Sequence, residues 1–488
     1  MKPSRAAAPF AALAALLAGA LPFAAGTTAW PEIVTPAWFV TQGVRLYDGI
    51  LFPHAPLLIL LTAAAGALFG FSAAVLRVIP ALALASSGVL LVLGARFHRA
   101  SRRGPITGLL LGLPLLVLLA VYAEGPALWP EPFLAPFLLA GVLCLERAEA
   151  TGSARDITAA GLVFGTALLV KQTSAWAALA AVLWLLFRSR RGRRSALLFA
   201  AAAALPYLAF LVTWAIAFRT LAHARWTLVY PVFSGMSRDI AVPLSAADVH
   251  EALELFVPLA AFALAGAALP AAVSRRTPLV AVALGAIGMA WPRPGLLHLS
   301  AVTGLAALAA VRTAIVLPTV FRRLQRVRPR PGRLLASAAS AALLAVSLGV
   351  ALLGAGPLLL DRLGRPLFYW DDAVTRAEAA SLRAHVPAGG ELLVFGGRQT
   401  LYPITRTRAP GGFYVNPSFW YCLNRDGGDE RLVAALRARP GLPILFRAPS
   451  SDEERVRTTR VFSFLETGTV PDGPGPGGTT WRRVAGRR

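Results

Sequence analysis

The chain has 488 residues, 56% hydrophobic and 15% charged, with 48 Lys and Arg against 24 Asp and Glu, a formal net charge of +24. So apolar a composition excludes a soluble protein built on one large core and points to a polytopic membrane protein. The cations fall in short clusters between apolar runs, as the positive-inside rule expects, so no nucleic-acid partner is expected.

Lys2 and Arg5 precede an apolar run from Ala6 to Ala25. Small residues in PFAAG would suit cleavage of a signal peptide. The run's length and the many apolar segments after it favour an uncleaved first helix instead. Its basic start faces the cytoplasm, which places the next stretch, Gly26 to Gly70, outside. That stretch carries Glu32, Arg45, Asp48 and His54 with Trp30, Trp38 and Tyr47. Ionisable groups beside a bilayer are costly unless they have a job.

Further spans are expected at about 56–71, 73–95, 106–123, 128–145, 157–172, 174–187, 195–217, 251–273, 277–291, 296–317 and 334–356. Basic punctuation lies at Arg96 to Arg103, Arg188 to Arg194, Arg275 with Arg276, and Arg322 to Arg333. With these inside, the turns at Glu124 to Glu131, Lys171 to Ser174, Arg219 to His250 and Pro292 to His298 face outward, as does everything after Gly354. One conflict stands: two apolar segments lie between the first outer loop and the Arg96 cluster, where the rule wants one crossing. Either 56–71 is not a full span or the Arg96 cluster lies outside, and the expected count is eleven to thirteen helices.

Beyond Pro357 the chain turns polar. Strand-like runs ELLVFGG (Glu391 to Gly397), LYPIT (Leu401 to Thr405) and PILFRA (Pro443 to Ala448) alternate with helix-like RAEAASLRAHV (Arg376 to Val386) and DERLVAALRAR (Asp429 to Arg439). This reads as a small α/β domain on the outer side. VPDGPGPGGTT (Val470 to Thr480) reads as a Pro/Gly loop. The expected division is 1–356 for a polytopic catalytic domain and 357–488 for an extracytoplasmic α/β domain. Cys144 in an apolar segment and Cys422 in the polar third say little about redox compartment.

The candidate chemistry gathers in the outward turns. A carboxylate, Glu32 or Asp48, can take a proton from an acceptor hydroxyl as a general base. Arg45, His54, Lys171, Arg293 and His298 can hold a phosphate and stabilise it as a leaving group. Together they suit transfer from a lipid phosphate donor. Each also has a structural reading. Glu32 follows Pro31 at a helix start, where the dipole favours a carboxylate. Asp48 precedes Gly49 and suits a turn. Lys171, in LLVKQTSAW, could snorkel to the interface beside Trp176. In WPRPGLLHLS (Trp291 to Ser300), two prolines break the helices and bring Arg293 and His298 together at a membrane edge. No Cys/His spacing for zinc and no DxD occur, so neither metal nor cofactor is expected. Asp371 and Asp372 read as a helix cap or solvated pair, and Gly396 and Gly397 as a turn.

WPEIV, GVRLYDG and HAPLLILLTAAAGALFG with Arg77 soon after, the KQ at Lys171 and Gln172, PRPGLLHLS, and the LY-x-x-T run together resemble GT-C glycosyltransferases. The resemblance is to the group of protein O-mannosyltransferases and lipid A aminoarabinose transferases (glycosyltransferase family 39-like). It implies a polyprenyl-phosphate-linked sugar donor, an extracytoplasmic acceptor, and an inverting, metal-independent transfer without a nucleotide-sugar site. It also implies a multi-pass protein of a bacterial-type plasma membrane, in contact with membrane lipids. By carry-over Glu32 is the base and Asp48 a supporting group, yet Pro31 stands where the family's acidic pair is expected, so Asp48 could take the role. The alternative is a non-enzymatic transporter or flippase for a lipid-linked glycan. That reading wants ionisable residues within helices, where the sequence shows little besides Arg77. An enzyme fold that has lost catalysis is a third reading.

Overall fold

The computed structural model describes residues 7–52, 54–95, 104–123, 126–188, 192–229, 245–268, 277–289, 295–326, 331–396, 398–415, 427–449 and 459–486. The clusters at Arg96 to Arg103 and Arg275 with Arg276, together with Arg293, Gly397 and Cys422, lie outside the described residues.

In chain order, α1 (Ala8–Ala24) leads to α2 (Pro31–Thr41), strand β1 (Ile50–Leu51), α3 (Leu57–Phe69) and α4 (Ala73–Gly94). Then come α5 (Leu113–Tyr122), α6 (Pro130–Thr151), α7 (Ala154–Val170), α8 (Ala175–Arg188) and α9 (Gly192–Phe218). They are followed by α10 (Ala246–Ala268), α11 (Leu279–Gly288), α12 (Thr303–Arg326) and α13 (Pro331–Val350). The polar part contributes α14 (Ala373–His385), β2 (Leu393–Phe395), α15 (Leu401–Thr405), β3 (Tyr414–Val415) and α16 (Gly428–Arg437). It ends with β4 (Pro443–Phe446), α17 (Arg460–Thr467), β5 (Thr469–Pro474) and β6 (Thr480–Val484).

Each apolar segment expected to span contains a helix. Among the described residues, five stretches are long and apolar enough to cross a membrane: Ala73–Gly94, Pro105–Tyr122, Gly192–Phe218, Leu297–Arg322 and Leu334–Arg362. Pro80, Pro206 and Pro318 sit inside such helices, as membrane-type helices tolerate when neighbours re-satisfy the freed carbonyls. Helix α3, in the disputed 56–71 segment, has 13 residues. At 1.5 Å per residue that is about 20 Å, short of a hydrocarbon core of about 30 Å.

The chain forms two compact units. The first comprises Met1–Thr27, Arg77–Thr213 and Ser237–Arg365. Its packing uses small residues where helices meet. On α7, Gly161 and Gly165 stand one turn apart, and a Cβ at either would come within 2.6 Å and 2.4 Å of the carbonyl oxygens of Phe199 and Ala203 on α9. Only glycine permits so close a backbone approach. Ala14, Ala18, Leu84, Val92, Ala120 and Val121 of α1, α4 and α5 form one buried cluster.

Charge also lies inside the helices, more than Arg77 alone. Arg312 of α12 is 1% exposed, and its Nη2 donates to Glu146 Oε2 of α6 at 2.7 Å while Nη1 donates to Oε1. Thr277 Oγ1 adds 2.6 Å to Oε1, and the Gly94 carbonyl takes Arg312 Nη2 at 3.1 Å. Both oxygens of this carboxylate are satisfied, and the guanidinium binds it bidentately.

The second unit comprises Thr28–Leu76, Trp214–Met236 and Pro366–Arg488. Its sheet has the order β2-β4-β6-β5, with β2 parallel to β4 and the other pairs antiparallel. A separate parallel pair joins β1 to β3, Ile50 to Tyr414 and Leu51 to Val415. Phe39 of α2 packs on the rings of Tyr402 and Tyr414, centroids at 5.0 and 4.8 Å. The Trp38 indole donates to the Thr407 carbonyl at 3.1 Å. Asp372 is the N-cap of α14, as the cap reading expects, accepting the Thr375 amide at 3.1 Å.

Two local expectations are corrected. LYPIT is helix α15 rather than a strand, because Pro403 cannot donate to a ladder but fits the first turn of a helix. The Val470 to Thr480 stretch is mostly the hairpin of β5 and β6, bulged between Pro471 and Gly473. β5 is an edge strand, the position where prolines are tolerated.

Candidate active site

Helices α6 and α7 are joined by Gly152 and Ser153 alone. Gly152 adopts a left-handed φ of 70°, and the Ser153 hydroxyl caps α7 by accepting the Asp156 amide. So short a connection makes an antiparallel hairpin, which returns the end of α7 to the start of α6. Glu131 stands in the first turn of α6, behind Trp129 as N-cap and Pro130 at the first helical position. Lys171 is the C-cap of α7. Both charges suit the helix dipole at their ends.

The two side chains meet. Lys171 Nζ donates to Glu131 Oε1. His298, in the short helix Leu296–Leu299, hydrogen-bonds the same oxygen through Nδ1. Since a carboxylate only accepts, Nδ1 carries the proton, and a neutral ring keeps its lone pair on Nε2. Glu131 is 0% and Lys171 6% exposed, while the His298 side chain is 20% exposed, with its ring 6.4 Å from that of Trp129. Glu131 Oε2 is buried with no hydrogen-bond partner among the described residues. The structure thus brings together two of the expected phosphate-binding residues, Lys171 and His298, around a carboxylate that sequence reasoning missed. A signal was available: Trp129-Pro130-Glu131 repeats Trp30-Pro31-Glu32.

Arg293 lies outside the described residues, and the other candidates, Glu32, Asp48, Arg45 and His54, belong to the second unit. Glu32 lies half-buried in the first turn of α2 behind Pro31. It is close to Tyr414, whose phenol is pushed well up by burial first and then by the charges of Tyr402 and Glu32. Asp48 sits in the turn between Arg45 and Ile50, where the Gly49 and Ile50 amides bond the Arg45 carbonyl at 2.9 and 3.0 Å. Its carboxylate is exposed, 3.9 Å from Arg431 Nη2. The turn is held by Tyr47, buried at a left-handed φ of 75°, whose hydroxyl donates to the His54 carbonyl at 2.8 Å. Arg45 is exposed, with its guanidinium 5.7 Å from the Phe218 ring, and the His54 ring lies 5.2 Å from Phe52.

The comparisons with known proteins agree with this architecture. The family model for dolichyl-phosphate-mannose-protein mannosyltransferase matches residues 53–217. The fold is similar to ArnT from Cupriavidus metallidurans in the apo state, with a TM-score of 0.57 at 14% identity over 99% of each chain. The same protein bound to undecaprenyl phosphate gives 0.54 at 13% identity over 100% of each chain. An oligosaccharyltransferase from Archaeoglobus fulgidus gives 0.46 at 12% identity, covering 99% of this chain and 74% of that one. No curated protein matches in sequence. The expected resemblance to GT-C glycosyltransferases is borne out.

Proposed function

We propose that the chain is a membrane glycosyltransferase that moves a sugar from a polyprenyl phosphate carrier to an extracytoplasmic acceptor. The observation that carries this reading is the meeting of Lys171 and His298 on one buried carboxylate, in a helical unit with the ArnT-like fold. Glu131 offsets the cost of burying Lys171 and holds it beside the His298 imidazole, so two phosphate-competent donors are gathered at one place in an apolar unit. A lipid-borne phosphate is the anion that such surroundings deliver.

In the proposed reaction the acceptor hydroxyl oxygen attacks the anomeric carbon and forms the new glycosidic bond. The bond from that carbon to the phosphate oxygen breaks, and its electron pair leaves with the phosphate. Lys171 and His298 stabilise that charge, which makes the carrier a better leaving group. The hydroxyl proton passes to a carboxylate base, assigned from the sequence to Glu32 with Asp48 as the alternative. Attack opposite the leaving group inverts the anomeric centre. Arg45, His54 and Arg293 remain proposed contributors to phosphate binding.

The helices are proposed to cross a bacterial-type plasma membrane, with 357–488 as the extracytoplasmic domain. The length of α3 supports reading 56–71 as less than a full span, which removes the conflict with the positive-inside rule. The experiment is binding of undecaprenyl phosphate to the purified full chain in detergent, together with sugar transfer in membranes. Replacing Lys171 and His298 should weaken binding and slow transfer together. Unchanged binding in both variants would remove the phosphate role.

A further inference from the structure

Resting on the phosphate reading above, we infer that Glu131 is an exchangeable counter-ion: it occupies Lys171 and His298 while the site is empty and yields them to the donor phosphate.

The chain contains its own comparison. Glu131 and Glu146 lie on the same helix, and each bonds a side chain from the segment 295–326, His298 and Arg312 respectively. Glu146 is built as a permanent pair: both of its oxygens are used, the guanidinium binds bidentately, and a threonine hydroxyl adds a further bond. Glu131 is built differently. One oxygen takes both Lys171 and His298, and the other is buried without a partner among the described residues. A buried carboxylate with half its acceptor capacity unused forgoes stabilisation that Glu146 collects. Its partners are also the exchangeable kind. A lysine is a point charge on a flexible stem, and an imidazole binds through one nitrogen, whereas an arginine fork is locked in plane.

Burial makes the exchange consequential. Lys171 is nearly closed to solvent under Glu131, so a phosphate reaches its ammonium only as that pair parts. Phosphate and carboxylate then compete for the same donors, and the coupling between them is negative and reciprocal. After transfer the carboxylate recaptures Lys171 and His298, which helps the spent carrier leave. Glu131 is on this account a positioning residue acting through Lys171 and His298, without touching the reacting carbon.

The test is the affinity of the full chain for undecaprenyl phosphate. Glu131→Gln keeps the shape and removes the competing charge, so affinity should rise by about tenfold, within the usual range for coupled sites. Glu131→Asp, which keeps the charge and withdraws it by one methylene, should tighten binding by a smaller factor. Glu146→Gln, which breaks the other pair, should leave affinity unchanged although it destabilises the fold. A merely structural Glu131 predicts the opposite sign, with both substitutions at 131 weakening binding or leaving it alone, and that result overturns the proposal. The double variant Lys171→Met/Glu131→Gln separates the two readings. If it binds as tightly as Glu131→Gln, the phosphate reading itself fails. If it binds more weakly while Glu131→Gln shows no gain over wild type, only the counter-ion proposal falls.

Discussion

Glu131 and Lys171 are 40 residues apart in the sequence and joined by a buried hydrogen-bonded ion pair. The hairpin of α6 and α7 makes the pair, because its two-residue connection leaves the start of one helix beside the end of the other. The pair ties a fold feature to the chemistry, and its energetics can be tested apart from function. Lys171→Met leaves a carboxylate buried with only His298 for company, and such a loss costs about 3–5 kcal/mol. Adding Glu131→Gln should recover most of it. Thermal unfolding in detergent checks both, and a double variant no more stable than the single one would contradict the pairing.

Arg312 and Glu146 should behave as structure only. Arg312→Met strands a carboxylate that receives two guanidinium bonds, so a cost of about 3–5 kcal/mol is expected. Lipid phosphate affinity, measured below the melting transition, should not change. A loss of affinity with no loss of stability would reassign this pair to the site.

Glu32 and Asp48 are separable by their surroundings. Asp48 is exposed in a turn, with one distant cation at 3.9 Å, so Asp48→Asn should move stability by no more than about 0.5 kcal/mol. Glu32 is half-buried at a helix start beside the Tyr414 phenol. If Glu32 is the base, Glu32→Gln should slow transfer by about 10²–10⁴-fold, the usual contribution of a general base, while Asp48→Asn retains most activity. The reverse ranking would make Asp48 the base.

The cap of α14 gives an acid signature. Burial alone would raise the Asp372 carboxyl, but bonds from the Thr375 hydroxyl and amide, with the Arg398 charge, hold it below its ordinary value. A lowered folded pKa contributes stability that is present above the unfolded value of about 3.9 and lost as pH falls through the folded value. Asp372→Asn should therefore cost stability at neutral pH and progressively less below about pH 4. Glu378 has the opposite sign: burial raises its carboxyl, ahead of the Arg447 and Arg398 charges that lower it. Its contribution is present below the ordinary glutamate value and declines as pH rises through the folded one. Melting curves from pH 3 to pH 7 on the two proteins check the first statement (about one unit below the unfolded carboxylate pKa to neutrality).

Much of this was legible in the sequence. Hydropathy located the helices, since each expected apolar segment contains one, and the Pro31-Glu32 and Asp48-Gly49 pairs behave as a helix start and a turn. Asp372 was legible as a cap. What escaped depends on partners far away in the chain. Glu131 reads as another first-turn acid until α7 returns Lys171 to it, although Trp-Pro followed by a charge occurs at Glu32, Glu131 and Arg293. Glu146 escaped because it falls just past the expected 128–145 span, where a charge reads as topology. Arg312, inside α12, escaped because the partner that accounts for it is 166 residues away. LYPIT misled because its alternation is strand-like while its proline is not.

The most direct measurement is release of the carrier. Proteoliposomes holding the full chain are given radiolabelled polyprenyl phosphate sugars, a hexose and a pentose in turn, with membrane extract as the source of acceptor. Formation of free polyprenyl phosphate is then followed for wild type, Lys171→Met/Glu131→Gln and Glu32→Gln. The account predicts release by wild type with at least one sugar, coupled to labelling of the acceptor, and strong loss in both variants. No release from any donor by wild type, or release undiminished in both variants, would contradict it.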